Sequence, residues 1–209
     1  MTAIKICGIT REQDALAAAH CGANAVGFVF YAKSPRAVTP ARAAALMRVL
    51  PPFVTSVALF VDADVAAVKH TMAMARADLL QFHGDESPAY CRQFGVPYLK
   101  ALRVRPGVDL LQYARDYHDA KALLLDAYVE GTPGGTGATF DWALIPKNLP
   151  LPVVLSGGLT PENVTAAIEA VRPWAVDVSS GVESARGIKD AAKIAAFVTG
   201  VRNARSNEV

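Results

Sequence analysis

AIKICGITREQDALAAAHCGANAVGFVF, residues 3–30, changes pattern twice within a short span. An apolar run over residues 3–7 stops at Gly8, and Ala15, Leu16 and Ala19 then recur at helical spacing behind Thr10 and Gln13, which are placed as a capping box. A second apolar run over 24–30 follows. Strand, helix, strand in so few residues is the unit of a parallel sheet, because parallel neighbours need a crossover and a helix is the usual one.

The alternation then repeats. Further short runs rich in β-branched and apolar residues lie near 53–60, 78–82, 98–103, 122–126, 152–155 and 174–178, each bounded by Gly, Pro, Asp or Ser. Thr39-Pro40, Ser87-Pro88 and Thr160-Pro161 each pair a capping hydroxyl with proline at the first helical position, and Asp64, Asp109 and Asp190 are placed to cap three more helices. Eight strand–helix alternations, one per roughly 26 residues and with no shift of composition, fit a single domain over residues 1–209: an eight-stranded parallel (β/α)8 TIM barrel ringed by helices. An open doubly wound sheet would use fewer strands and a phosphate loop after the first. Two connections, 31–40 and 127–141, are longer than the rest, and neither half of the chain echoes the other.

Hydrophobic residues make up 52% of the 209 and charged residues 19%, with a formal net charge of +2 and no basic or acidic run. That composition excludes a disordered chain and gives no electrostatic footprint for nucleic acid, while leaving room for an acidic small substrate. Cys7, Cys21 and Cys91 are odd in number, with no CxxC and no Cys/His set at zinc-ligand spacing, so neither a disulfide framework nor a metal is expected. No leader-like segment and no apolar run of 18 residues is legible, and the expectation is a cytoplasmic protein without a membrane partner.

In such a barrel the chemistry sits where the strands end. SGGL, residues 156–159, and VSSGVE, residues 178–183, follow the seventh and eighth strands, the recurrent phosphate position of this fold, and their small residues let backbone N–H groups converge on an anion. Asp126 ends an apolar strand and is followed by Gly131, Gly134, Gly135 and Gly137 in place of a helix; it reads either as a turn aspartate or as a proton-transfer group beside a mobile lid. Cys7 alone reads as a small buried hydrophobe. Strand alternation, however, puts Lys5 and Cys7 on one face and, in a closed barrel, Lys5 beside Asp177, a positive neighbourhood expected to lower the thiol pKa. Gly8 is expected to keep the wall beside the thiol low for a substrate. Arg36, after Ser34-Pro35, is either a surface arginine or a bidentate carboxylate clamp; Gln81, His83 and Ser179 are further candidates for lining the site.

Read together, KICGIT (5–10), SPR (34–36), QFHGDE (81–86), LLLD ending at Asp126 with GGTG (134–137), SGGLTPENV (156–164) and DVSSGVE (177–183) closely resemble the phosphoribosylanthranilate isomerase family of tryptophan biosynthesis, in the family's order and over essentially the whole chain. The resemblance implies a cofactor-independent Amadori rearrangement of N-(5-phosphoribosyl)anthranilate to 1-(o-carboxyphenylamino)-1-deoxyribulose 5-phosphate. It implies Asp126 as general acid, Cys7 as general base, Arg36 on the anthranilate carboxylate, and backbone N–H groups around Gly157, Gly158, Ser180 and Gly181 on the phosphate. A monomer and a homodimer are both compatible with it. The chain departs from the family's wording at residues 184–188, where Arg186 stands before the glycine in place of a frequent proline. The related isomerase of histidine biosynthesis would place an aspartate at position 7 and show half-barrel similarity. A non-catalytic phosphosugar-binding barrel would make Cys7 and Asp126 dispensable.

Overall fold

The structure, a computed structural model, describes residues 2–127 and 141–204. Eight strands, β1 (Ala3–Cys7), β2 (Ala25–Val29), β3 (Thr55–Phe60), β4 (Leu79–Phe82), β5 (Tyr98–Val104), β6 (Ala122–Ala127), β7 (Val153–Leu155) and β8 (Ala175–Val178), form a closed barrel in chain order, every pair parallel. The ring closes where β8 pairs with β1, with Lys5 opposite Asp177. Helices α1 (Glu12–Cys21), α2 (Pro40–Arg48), α3 (Val65–Ala75), α4 (Pro88–Arg92), α5 (Leu110–Asp116), α6 (Val164–Val171) and α7 (Ala191–Asn203) surround it.

Alternation sorts every strand into an outward and an inward row. Outward Ile4, Ile6, Val26, Phe28 and Val176 pack with Ala15 and Ala18 of α1, Leu46 of α2 and Phe197 and Val201 of α7. On the other flank, Phe60, Phe82, Tyr98 and Leu102 pack with Val68, Leu110 and Tyr117. The inward row is layered. Leu99, Ala101, Ala122, Leu124, Val154 and Ala175 plug the lower barrel with hydrocarbon, while Lys5, Gln81 and Asp177 occupy the inward row as buried polar groups.

Five of the capping expectations meet their geometry: Thr39, Ser87, Asp64, Asp109 and Asp190 each accept a first-turn N–H. Two do not. Arg11, not Thr10, sits at the start of α1 with no side-chain cap, and Thr10 Oγ1 instead donates to the Gly187 carbonyl at 2.6 Å. That bond fastens the first loop to a hairpin, β9 (Glu183–Ala185) with β10 (Ile188–Lys189), so the hydroxyl serves a long-range contact. At Thr160-Pro161 the hydroxyl does accept from Glu162 N at 3.3 Å, but in a turn, and the helix begins only at Val164. Asn163 is spent on the preceding loop, accepting from Thr160 N at 2.8 Å and donating to Gly158 O at 2.9 Å. Between β6 and β7, where the glycines after Asp126 stand in place of a helix, the described residues hold a 3₁₀ turn, Trp142–Leu144.

Phe197 is fully buried between α7 and the barrel wall. Phe197→Ala removes a large side chain from a site that cannot collapse completely and is expected to cost about 3–5 kcal/mol. A urea melt would show it as a lower midpoint at unchanged slope.

Candidate active site

The C-terminal mouth of the barrel holds a cavity that opens to solvent and includes Cys7, Arg36, His83, Asp126 and Asp177 in its wall. Cys7 ends β1 with its thiol inward, beside Val29 and Leu59. Two residues lower on that face, Lys5 Nζ donates to Asp177 Oδ1 at 2.8 Å, both side chains being nearly inaccessible, and Ser156 Oγ lies 3.4 Å from the other Asp177 oxygen. Burial works to strip the Lys5 proton, but Asp177 and Cys7 outweigh it and hold the ammonium above its ordinary value.

The thiol departs from expectation. Burial pushes the Cys7 pKa up by more than the Lys5 charge pulls it down, and Asp177 adds to the rise. The positive neighbourhood read from the sequence is present and opposes the rise, but burial outweighs it.

Asp126, the penultimate residue of β6, is buried, with Oδ1 accepting from Ala127 N at 2.9 Å and Oδ2 lying 3.1 Å from His83 Nε2. His83 Nδ1 faces Gln81 Nε2 at 2.9 Å. With the amide donating, Nδ1 is the acceptor and the imidazole proton sits on Nε2, aimed at Asp126. Glu86 holds the loop that carries His83, accepting from the N–H groups of Asp62 and Gly84 and from Lys100 Nζ.

Gly157, Gly158 and Ser180 line the cavity, as does Ser179, but Gly181 is not part of its wall and packs on the Leu159 carbonyl within a 3₁₀ turn, Ser180–Val182. Gly157 has a φ of 87°, and a Cβ there would stand 2.4 Å from Ala127 N and 2.9 Å from Asp126 Oδ1, so the loop after β7 closes directly on the Asp126 carboxyl. Lys5 and Gln81, expected as lining residues, lie beneath the cavity instead of in its wall. The glycine-rich lid expected after Asp126, with Gly131, Gly134, Gly135 and Gly137, lies outside the described residues.

Arg36 reaches the cavity but is not idle: Nε and Nη2 bind the two oxygens of Glu183 at 2.7 and 2.8 Å. Lys189 Nζ, fully buried, donates to the same carboxylate at 2.9 Å and to the Ser179 carbonyl at 2.9 Å. The bond to Glu183 raises the Arg36 pKa; burial opposes the Glu183 carboxylate, yet Arg36 and Lys189 hold it below its ordinary value; burial lowers that of Lys189. Gly8, with φ 78°, leaves room for Arg36, since a Cβ there would stand 2.5 Å from Arg36 Cδ. Sequence reasoning missed Glu183 and Lys189. Glu183 was visible as the last residue of VSSGVE; Lys189 had no signal. The hairpin bearing Arg186 keeps its tie to Thr10 without the family's proline.

Among the described residues no cluster of His, Cys, Asp and Glu could hold a metal ion, and no helix is long and apolar enough to cross a membrane.

The sequence profile of N-(5'-phosphoribosyl)anthranilate (PRA) isomerase matches residues 4–200. The chain is 63% identical to the N-(5'-phosphoribosyl)anthranilate isomerase of Nitrosospira multiformis over 198 residues, 95% of each chain, and 59% identical to that of Pseudomonas aeruginosa over 205 residues, 98% of this chain and 97% of the relative. The crystal structure of phosphoribosyl anthranilate isomerase from Thermotoga maritima superposes with a TM-score of 0.89 at 40% identity, covering 97% of this chain and all of that one. A structure of such an isomerase in complex with reduced 1-(o-carboxyphenylamino)-1-deoxyribulose 5-phosphate superposes at 0.86 with 39% identity, over 97% of this chain and 100% of that one.

Because its pKa is raised, Cys7 rests as a thiol at neutral pH, and the thiolate fraction grows only as pH climbs past the range of an exposed cysteine, about 8.5. Iodoacetamide labelling of Cys7, followed by peptide mass spectrometry, is expected to keep accelerating with pH after an exposed thiol has levelled off. Lys5→Met removes a charge that favours the thiolate and should move that profile further upward.

Proposed function

The chain belongs to the N-(5'-phosphoribosyl)anthranilate isomerase family, and from that premise we propose that Asp126 and Cys7 are the acid and base of its proton transfers. The protein is an isomerase of tryptophan biosynthesis that turns an N-phosphoribosylated anthranilate, an aminoaldose, into the corresponding aminoketose. Substrate and product are isomers, so no electrons and no group from outside are needed, only protons delivered at the right atoms.

In this reading Asp126 gives a proton to the ribose ring oxygen and the furanose opens to an iminium at C1. Cys7, as thiolate, then removes the C2 proton, which the adjacent cation has acidified, and the enolamine formed relaxes to the ketone with a proton arriving at C1. Cys7 first gives its resting proton to solvent water and regains one from C2, while Asp126 gives its proton to the ring oxygen and regains one from water, so the site resets with no net change. The observation that carries the reading is that one cavity contains both groups, each inward-facing at the end of its strand. The raised thiol pKa fits a base that is drawn out late: Lys5 contacts it from below, and the iminium brings a second positive charge once the ring has opened. His83 Nε2, beside Asp126 Oδ2, keeps the carboxyl in place through the transfer.

Arg36 faces the anthranilate carboxylate with the N–H groups that Glu183 leaves unused. The loops after β7 and β8 take the phosphate through backbone N–H groups around Gly157, Gly158 and Ser180, which line the cavity, and not around Gly181, which does not. The three free thiols, Cys7, Cys21 and Cys91, suit a reducing compartment, and the reading therefore places the enzyme in the cytoplasm, as a monomer or homodimer with no nucleic-acid or membrane partner.

The test follows the loss of substrate fluorescence. Cys7→Ser and Asp126→Asn are each expected to lower kcat by about 10²–10⁴-fold, the usual worth of a positioned acid or base. Near-full activity in either would overturn its role. Arg36→Ala is expected chiefly to raise KM, because the carboxylate contact is shared by ground and transition states. Gly157→Ala, which pushes on Asp126, should cost about 10²-fold in kcat through displacement of the acid.

A further inference from the structure

Arg36 is an odd clamp, for its most directional pair of donors is already spent. Nε and Nη2 are bound to Glu183 in the two-pronged geometry that a substrate carboxylate would otherwise take. Two explanations compete: Glu183 is a placeholder that substrate displaces, or it is a permanent part of the clamp.

The structure favours permanence. Glu183 is 8% exposed and has a second counter-ion, Lys189 Nζ at 2.9 Å, whose side chain is wholly buried and which is itself anchored to the Ser179 carbonyl. The backbone is held as well: Lys193 Nζ donates to the Glu183 carbonyl at 2.8 Å, Asp14 accepts from Lys189 N at 3.1 Å, and Thr10 Oγ1 pins the turn of the hairpin at Gly187. Pulling the carboxylate away would leave Lys189 buried without its partner, a penalty that one incoming carboxylate on Arg36 does not repay.

Two of the five guanidinium donors face Glu183, and three remain, on Nη1 and the second hydrogen of Nη2. Charge agrees with that count. Arg36 and Lys189 against Glu183 leave one net positive charge, the match for a single carboxylate. Lys5 and Asp177 cancel below.

We infer that Glu183 is a positioning residue which, backed by Lys189, aims Arg36 and so sets the enzyme's selectivity for a substrate bearing an aromatic carboxylate. The inference rests on Arg36 as the carboxylate clamp proposed above. Glu183 itself does not touch the substrate.

The experiment compares equilibrium binding of two stable reduced product analogues by calorimetry, the 1-(o-carboxyphenylamino)-1-deoxyribitol 5-phosphate and its counterpart lacking the carboxyl group. Wild type should prefer the carboxylated compound. Glu183→Gln should lose that preference by about 10-fold or more, the worth of one aimed charge-assisted contact, while binding the descarboxy compound within about 2-fold of wild type. Equal losses for both compounds would mean a merely structural role and overturn the inference, as would tighter binding of the carboxylated compound, the sign of a displaced placeholder. A variant that keeps the full preference also overturns it and leaves the clamp standing. A wild type with no preference removes the clamp itself, and the inference with it. Should Glu183→Gln not fold, Glu183→Asp keeps the charge but draws it back by one methylene, and the same selective loss is expected.

Discussion

The ion pair between Lys5 and Asp177 sits where the barrel closes, and the site above it depends on that closure. Both groups are inward on adjacent strands and directly opposite in the β1–β8 register. A buried pair of this kind contributes little net stability, because desolvation consumes most of the attraction. Its effect is on alternatives. A slip of one residue between β1 and β8 would turn one partner toward the helix layer and leave two buried charges unpaired, a far larger cost than a misplaced apolar residue. The same register puts Cys7 at the rim and Ser179 beside it, with Ser179 Oγ donating to the Cys7 carbonyl at 3.0 Å.

That constraint also explains the thiol. A lysine two residues below the cysteine proposed as base looks like a device for making a thiolate, yet the lysine needs its own carboxylate to be tolerable in the barrel. Once Asp177 is present the pair is neutral, and desolvation decides the sign at Cys7. The raised pKa is therefore chiefly a consequence of burial at the strand end, with Lys5 opposing it and Asp177 adding to it, and it keeps the resting cysteine in its less reactive form.

Most of the fold was legible from local pattern. Strands of three to seven residues with apolar content on both faces, separated by capped helices, can do little except form a parallel sheet with its outer face covered. Strand ends then pointed to Cys7 and Asp126, because alternation is a local property. What was not legible is what crosses the chain. Thr10 and Thr160 have the residue types of caps, yet Thr10 is drawn to Gly187, and Asn163 is spent on the loop where a cap was expected. Gly8 is open to solvent in a strand diagram and filled by Arg36 in three dimensions. Glu183 and Lys189 lie on a hairpin whose existence depends on the turn at Gly187, and no periodicity announces a hairpin of that length.

The charges at the mouth account for the division of labour between side chains and backbone. A phosphorylated anthranilate riboside carries two anionic ends, and three buried cations, Lys5, Arg36 and Lys189, lie at or beneath the cavity. Asp177 cancels the first, and Glu183 takes the equivalent of one of the other two, leaving charge for one carboxylate only. A further buried lysine or arginine for the phosphate would have needed another carboxylate to be stable before substrate arrived, and that carboxylate would have repelled the phosphate. Backbone N–H groups escape the difficulty, since they carry partial charge without a counter-ion and lose little by waiting in a solvated loop. If the loops after β7 and β8 take the phosphate and Arg36 the carboxylate, as proposed, the glycines and serines of those loops supply what the ionic capacity of the barrel mouth, committed to the other end of the substrate, does not.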